Sequence, residues 1–276
     1  MLSMYFIPDH GIFLVLNNVG RIYMRNQFIK SMIAVCMVFV LLPTTIISAA
    51  SLIKDPVLAK VIRADLKMSA KKELKAADLK KLKSIYAMET KSKISNLQGL
   101  EHAVNMTDLF LPGQNIKNIK PLNKLKKLTF LAVEGNQITD ISPLSGLANL
   151  QNLVMDDNKI KSLAPLKNMR KLTSLLASGN QVADLSPLQK LKLEWIIMND
   201  NKIQDLTPLK NHPTLEYLYV EDNLITDIAV LETIPHLTEV YLGNNPLNDR
   251  AEQVVEKLEK KGVVVSLVSE EADQAK

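Results

Sequence analysis

The side chains that most often do chemistry in proteins are few in this sequence and lie far apart. The 276 residues include one cysteine, Cys36, and four histidines. One cysteine cannot form a disulfide or build a Cys-based zinc or iron–sulfur site. His102 precedes the first full unit of the repeat described below, and His212 and His236 fall in its return segments, so none is expected to face a catalytic partner. We therefore predict no catalytic residues, no bound metal and no cofactor.

Paired acidic residues raise the separate question of cation binding. The pairs Asp156-Asp157 and Glu221-Asp222 lie where strands are predicted to end. They lack the ligand spacing of a calcium-binding loop. We interpret them as solvated side chains.

Aromatic residues suggest a different chemistry, which is contact with another protein. Seven Phe, Trp and Tyr residues follow residue 50, and six of them occupy outward positions of the predicted strands, together with ten acids and no Lys or Arg. Trp and Tyr often anchor protein interfaces, and acids around them steer basic partners. The alternative is that aromatics simply favour strands. The candidate partner-binding residues are Phe110, Phe130, Trp195, Tyr217, Tyr219, Tyr241, Asp200, Glu221 and Asp222.

A repeat positions these residues. One polar residue recurs at steps of 22 residues, with a single step of 21, at Gln114, Asn136, Asn158, Asn180, Asn201, Asn223 and Asn245. The unit reads L-x-x-L-x-L-x-x-N-x-I/L, which is the pattern of a leucine-rich repeat: a short strand, a turn and a return segment stacked on neighbouring units. In one unit the inward residues should be Leu150, Leu153, Met155, Ile160, Leu163, Leu166 and Met169.

The recurring polar residue should turn inward where each strand ends, because its amide can pair with backbone groups that no sheet ladder reaches. Proline follows seven residues later in five units, where it fixes a tight return and excludes a long helix. A degenerate extra unit begins near Ile85. We expect an α/β solenoid: a right-handed leucine-rich-repeat superhelix with a parallel concave sheet and a helical N-terminal cap.

The segment from Asn136 to Leu144, NQITDISPL, and its counterparts around Asp184, Asp205 and Asp227 resemble the repeat of the internalin family of bacterial surface and secreted proteins. The flank from residue 53 to 100 also resembles the helical cap of that family. Many members continue into further domains or wall anchors, whereas the residues after Asn245 leave room for a cap only. The resemblance implies the short, secreted type, with a protein-binding role in adhesion or virulence.

Residues 24–50 have the layout of a secretory signal peptide. Arg25 and Lys30 precede an apolar run at residues 32–42, and small residues follow at 48–50, as cleavage requires. The run is shorter than the roughly 20 residues of a spanning helix, which argues against a retained anchor. We predict cleavage after Ala50 and an extracellular product, free or associated with a cell surface.

The predicted organisation has five parts. Residues 1–23 are an extension upstream of the true start, 24–50 the signal peptide, 51–100 the helical N-terminal cap with a degenerate first repeat, 101–248 the leucine-rich repeats, and 249–276 a C-terminal cap with a polar tail.

Charge placement narrows the class of partner. The formal net charge is +5, but the basic residues fall in the N-terminal cap and the return segments. A nucleic-acid-binding face would mix basic groups with the aromatics. We predict a monomer that binds a protein with a basic and apolar surface, and neither nucleic acid nor a small-molecule substrate. The alternative is an intracellular or envelope-associated leucine-rich-repeat scaffold that regulates another bacterial protein, which a working signal peptide would exclude.

Overall fold

The computed structural model describes residues 3–7, 12–16, 22–24, 51–87 and 92–268. Residues 25–50, which hold the charged, apolar and small-residue parts of the predicted signal peptide, lie outside the described residues, as does the polar tail at 269–276. Two compact units divide the chain, one of residues 1–49 with 270–276 and the other of residues 50–269.

The described part of the first unit consists of strands β1 (Ser3–Ile7), β2 (Ile12–Leu16) and β3 (Ile22–Met24). They form an antiparallel sheet in the order β1-β2-β3. These segments are rich in Ile, Val, Leu and aromatic residues, which favour strands. The sequence analysis treats residues 1–23 only as an upstream extension and does not anticipate the three strands.

The second unit contains a parallel sheet of nine strands that follow one another in chain order. They are β4 (Ser84–Tyr86), β5 (Asp108–Phe110), β6 (Phe130–Ala132), β7 (Asn152–Val154), β8 (Ser174–Leu176), β9 (Trp195–Ile197), β10 (Tyr217–Tyr219), β11 (Glu239–Tyr241) and β12 (Val264–Ser266). Equivalent residues of successive repeats lie side by side, as Tyr217 does with Trp195. The predicted leucine-rich-repeat solenoid is confirmed, and its degenerate first unit supplies β4.

Short 3-10 helices carry the chain through the return segments. They span Leu100–His102, Lys120–Lys124, Ser142–Leu144, Ala164–Leu166, Ser186–Leu188, Thr207–Leu209 and Ala229–Thr233. In five of them proline is the second residue, where its fixed φ suits the turn.

The apolar residues of all the repeats line one continuous core. Side chains alternate along a strand, so the middle residue of each three-residue strand points inward. In the unit from Leu150 to Met169, all seven residues predicted to point inward are at most 1% exposed. The predicted inward set is confirmed.

The inward asparagines link successive repeats. The side-chain oxygen of Asn158 accepts the N–H of Ile138 at 2.9 Å, and its amide nitrogen donates to the carbonyl oxygens of Val133 and Met155 at 3.0 and 3.1 Å. The same pattern recurs at Asn136, Asn180, Asn201, Asn223 and Asn245. These bonds satisfy buried backbone groups, as the sequence predicts.

A second polar row begins each return. Asp140 accepts the N–H of Ser142 through Oδ1 at 2.8 Å, and Asp184, Asp205 and Asp227 bond the residue two positions later in the same way. Such a side-chain turn favours the 3-10 conformation that follows. The aspartate of the internalin-like string therefore has a backbone role that the sequence analysis did not assign.

The described residues contain three α-helices: α1 (Pro56–Asp65) and α2 (Ala76–Leu79) precede β4 in the chain, and α3 (Ala251–Lys260) lies between β11 and β12. Leu58 and Ile62 of α1 and Leu258 of α3 are buried in the common core. Asp55 accepts the N–H groups of Val57 and Leu58 at the start of α1, which is the N-cap arrangement. Among the described residues, no helix has both the length and the apolar character needed to cross a membrane.

Candidate protein-binding face

The outward residues of the strands and of the turns that follow them make up one side of the sheet, which we call the sheet face. Its two central rows are the first and third residues of β4 to β12, because the middle residue of each strand faces the core. In-register parallel pairing places equivalent residues next to each other along each row. The residues of each row, taken in chain order, therefore lie side by side from one end of the sheet to the other.

The C-terminal half of the sheet face carries an aromatic cluster of two ring pairs. The rings of Trp195 and Tyr217 are stacked, with centroids 3.6 Å apart and planes inclined by 12°. Tyr219 and Tyr241 pack at 4.6 Å in a tilted arrangement, and the Tyr219 hydroxyl donates to Glu239 Oε1 at 2.8 Å. Trp195, Tyr217 and Tyr241 are partly exposed, whereas Tyr219 is buried. The predicted aromatics of β9, β10 and β11 therefore come together in one place.

The N-terminal half differs, and here the expectation of exposed anchors needs correction. Phe110 and Phe130 are 3% and 0% exposed. Their rings lie 6.0 Å apart, and Tyr86 lies 6.2 Å from Phe110 on the other side. Side chains on adjacent strands stand only about 5 Å apart, so a ring within a row is flanked on both sides. Tyr86, which was not predicted as a site residue, is 42% exposed on β4.

A backbone requirement explains several acids of the sheet face. The residue just before each inward polar residue has a positive φ of 50 to 63°, whether it is Gly113, Gly135, Asp157, Gly179, Asp200, Asp222 or Asn244. Gly, Asn and Asp tolerate this left-handed conformation best. Asp200 and Asp222 are exposed, but their occurrence follows partly from the turn and not from charge alone. Sequence reasoning missed this, although the alternation of Gly with Asp and Asn was visible.

The remaining predicted acid, Glu221, is buried. Its backbone N–H donates to Asn199 Oδ1 at 3.0 Å, and its Oε2 accepts from Asn199 Nδ2 at 3.1 Å. Glu194 and Glu216 directly precede Trp195 and Tyr217 in the chain, and both are exposed. Partial burial raises the pKa of Glu194, and repulsion from Glu216 adds to the effect. Two acids that repel each other thus lie beside the aromatic cluster, and a basic partner would reduce that repulsion.

Acids farther along the face contribute less charge than their number implies. Burial raises the pKa of Glu134 to about 7, with a smaller contribution from the nearby Asp157 carboxylate. Burial also raises the pKa of Asp156 well above its ordinary value, although its carboxylate accepts the N–H of Ser178. A carboxyl with a pKa of about 7 is only partly ionised at neutral pH, so Glu134 adds less negative charge to this face than an exposed glutamate would.

The part of the chain that the structure describes contains no group of three or more His, Cys, Asp and Glu residues placed to hold a metal ion. His212 is buried in a return segment, away from the sheet face.

The comparisons with known proteins agree with this architecture. Residues 148–190 and 213–250 match the family described as Leucine Rich repeats (2 copies). The structure is similar to an internalin (inlF) of Listeria monocytogenes, with 27% identity, a TM-score of 0.63, and coverage of 79% of this chain and 69% of that one. It is also similar to internalin C2 (inlC2) of the same organism, with 28% identity, a TM-score of 0.69, and coverage of 79% and 95%. No curated protein sequence matches the chain.

The repeats, the inward asparagines and the outward face define a leucine-rich-repeat scaffold of the protein-binding class. Within that class, the chain is similar to the internalins in sequence and in structure.

Proposed function

We propose that this chain is an exported protein that recognises a protein on a host or other cell surface, in an adhesion or virulence role. The binding site is the C-terminal half of the sheet face, centred on Trp195 and Tyr217. The observation that carries the proposal is the stacked, partly exposed pair of these two rings, 3.6 Å apart.

The aromatic cluster has the composition of an interface centre. Trp and Tyr are enriched among the residues that dominate binding energy, since each buries a large area at a small cost in conformational entropy. Stacking holds both rings in place before the partner arrives, which lowers the entropic cost of association. Tyr241 is partly exposed on β11, and the exposed Val264 lies beside Glu239 on the last strand.

The acids around the cluster define the chemistry of the partner. Glu194, Glu216, Asp200 and Asp222 are all exposed, and no basic residue lies among the outward positions of β9 to β11. These exposed acids attract Lys and Arg side chains of a partner and raise the association rate, with less effect on the final affinity. We infer a partner whose surface presents an apolar patch bordered by basic residues.

The test uses two matched variants of the full chain. Trp195→Ala with Tyr217→Ala removes the centre of the cluster, and Leu224→Ala removes an exposed apolar residue at a position outside the sheet face. Each protein is cross-linked to intact cells, and the captured surface protein is identified and its affinity measured. We expect the double variant to weaken binding by about 2 kcal/mol or more with an unchanged far-UV circular dichroism spectrum, and Leu224→Ala to bind normally. Equal affinity of all three proteins would show that the aromatic cluster is not the site.

Export has its own test, which is N-terminal sequencing of the protein from culture medium and from washed cells of its source. A form beginning at Ser51 in the medium supports the exported role. An uncleaved form confined to the cells would favour an internal scaffold.

A further inference from the structure

Formal charge is divided unevenly along the chain after residue 50. Residues 51–130 contain 17 Lys and Arg against 7 Asp and Glu, a net charge of +10, whereas residues 131–276 contain 14 against 21, a net charge of −7. All the described lysines of the first segment are exposed. Only one of them, Lys81 with Asp78, forms an ion pair among the described residues. The first segment therefore presents a strongly basic surface to solvent.

Part of this basic surface forms a groove on the return side of the first repeats, away from the sheet face. The groove has a volume of about 560 Å³ and continues into a neighbouring one of about 490 Å³, with Asn118, Lys120 and Asn123 lining both. Lys124 lines the first part and Lys117 the second. We call these two connected parts the lysine groove.

Neutral polar groups fill the space between the lysines. The lining includes Asn96, Gln98 and Ser142 in addition to Asn118 and Asn123. Asn118 uses its side-chain oxygen to accept the N–H of Lys120 at 2.8 Å, and a side-chain amide also carries two N–H donors.

The groove also contains two acids, and both are engaged locally. Glu101 accepts the N–H of Gly99 at 2.7 Å. Asp140 accepts both the N–H and the hydroxyl of Ser142 at 2.8 Å. Neither acid forms an ion pair with a groove lysine within the described residues, so no carboxylate of the groove is held against the three ammonium groups.

The repeat itself does not require these lysines. The position of Lys117 holds Thr139, Lys161, Ala183, Gln204 and Thr226 in later units, so one of the five is again lysine, and the position of Lys120 holds Ser142, Ala164, Ser186, Thr207 and Ala229. The same backbone thus forms with neutral side chains there. The cluster of three lysines is a property of the first full repeat alone among the described units.

We propose that the lysine groove is a second binding site, distinct from the sheet face, and that it binds a sulfated polysaccharide. The ammonium groups of Lys117, Lys120 and Lys124 would pair with sulfate groups, and the amides of Asn118 and Asn123 would bond sugar hydroxyls. Lysine ammonium groups act as point charges without the bidentate fork of arginine, and no arginine lines the groove, so the groove suits single negative charges spaced along a polymer.

Two other anionic partners fit less well. The lining of the groove contains no large apolar side chain, which binding at a membrane interface would use to enter the lipid. It contains no aromatic residue either, so nucleic-acid bases would find no stacking platform.

The experiment measures binding of the full chain to heparin, as the sulfated-polysaccharide probe, at several salt concentrations. The groove variant carries Lys117→Gln, Lys120→Gln and Lys124→Gln. The matched control carries Lys161→Gln, Lys190→Gln and Lys210→Gln, three exposed lysines of later repeats with the same change in net charge. We expect the groove variant to lose about tenfold or more in affinity and to show a shallower salt dependence, since fewer counterions are released. The control should stay within about twofold.

Three outcomes would overturn the proposal. Equal losses in both variants would mean that net charge alone attracts heparin. Tighter binding to phosphatidylserine vesicles or to inorganic polyphosphate than to heparin would replace the polysaccharide with a lipid surface or a phosphate polymer. The proposed function is tested separately, because Trp195→Ala with Tyr217→Ala should leave heparin binding unchanged.

Discussion

Asn136, Asn158 and Asn180 make the same hydrogen bonds in three successive repeats. The outward residues six positions earlier, Phe130, Asn152 and Ser174, share no chemistry. The inward row satisfies backbone groups that recur in every unit, so its residue type is dictated by the stack. The outward row meets no such demand. Residue types in the outward row can therefore vary to suit a binding partner. For that reason the aromatic cluster at β9 to β11 is evidence about function, whereas the asparagines are evidence only about the fold.

The largest effect should come from breaking the inward row at Asn180. Asn180→Leu leaves the buried N–H of Ile160 and the carbonyl oxygens of Met155 and Ala177 without their side-chain partner. Each unsatisfied buried group costs about 1–3 kcal/mol. We expect the free energy of unfolding to fall by about 3 kcal/mol, measured by urea denaturation.

The matched control for that change is Asn168→Leu, at an exposed position of the preceding repeat. It should move the urea midpoint little, because solvent already satisfies this side chain. If the two variants are equally stable, the inward asparagines do not hold the stack together.

The sequence predicted what the stack dictates. The 22-residue spacing located the repeats, and the leucine pattern identified inward residues such as Leu153 and Ile160. The role of Asn158 followed from the need to pair backbone groups at a strand end. The polar position recurs in seven units, as Gln114 once and as asparagine six times, so one chain contains seven observations of it.

What the sequence left open depends on distances between strands and on backbone angles. The burial of Phe110 and Phe130 cannot be predicted from an alternating pattern. Such a pattern indicates the side of the sheet to which a side chain points, but not how far its neighbours bury it. The left-handed conformation of Asp200 was missed because an acid in a turn was interpreted through its charge. The apolar run near Val264 suggested a cap, whereas the structure adds it to the sheet as β12.

A substitution at Asp200 separates backbone conformation from charge on the sheet face. Asp200→Gly keeps the positive φ accessible, so stability should change by less than about 0.5 kcal/mol, whereas Asp200→Ala should cost about 1–2 kcal/mol. Both variants remove the same charge. Thermal and urea unfolding measure the first effect, and the association rate with the identified partner measures the second. A rate that falls equally in both variants would assign the steering role to the carboxylate, while equal stabilities would contradict the backbone explanation.

His212 is an exception inside the stack, and it gives the smallest expected effect. Equivalent positions of other repeats hold Leu125, Leu147, Met169, Leu191 and Ile234, all buried. His212 is 1% exposed, and neither ring nitrogen has a hydrogen-bond partner among the described residues. Burial lowers the pKa of His212 below its ordinary value of 6.5. A neutral imidazole in an apolar row costs stability at any pH, because its polar atoms lose their water.

His212→Leu should therefore raise the free energy of unfolding by about 1 kcal/mol at pH 7.5. The gain should increase below pH 6.5, because the unfolded chain then takes up a proton at this histidine that the folded chain resists. The wild-type chain loses stability as the pH falls from 6.5 towards the lower pKa of the folded state, and the leucine variant lacks that loss. Urea unfolding at pH 7.5 and 5.0 measures both effects, with the exposed His236→Gln as the control. If the difference between wild type and His212→Leu is the same at the two pH values, the histidine is not held neutral in the core, and its place in the leucine row has another cause.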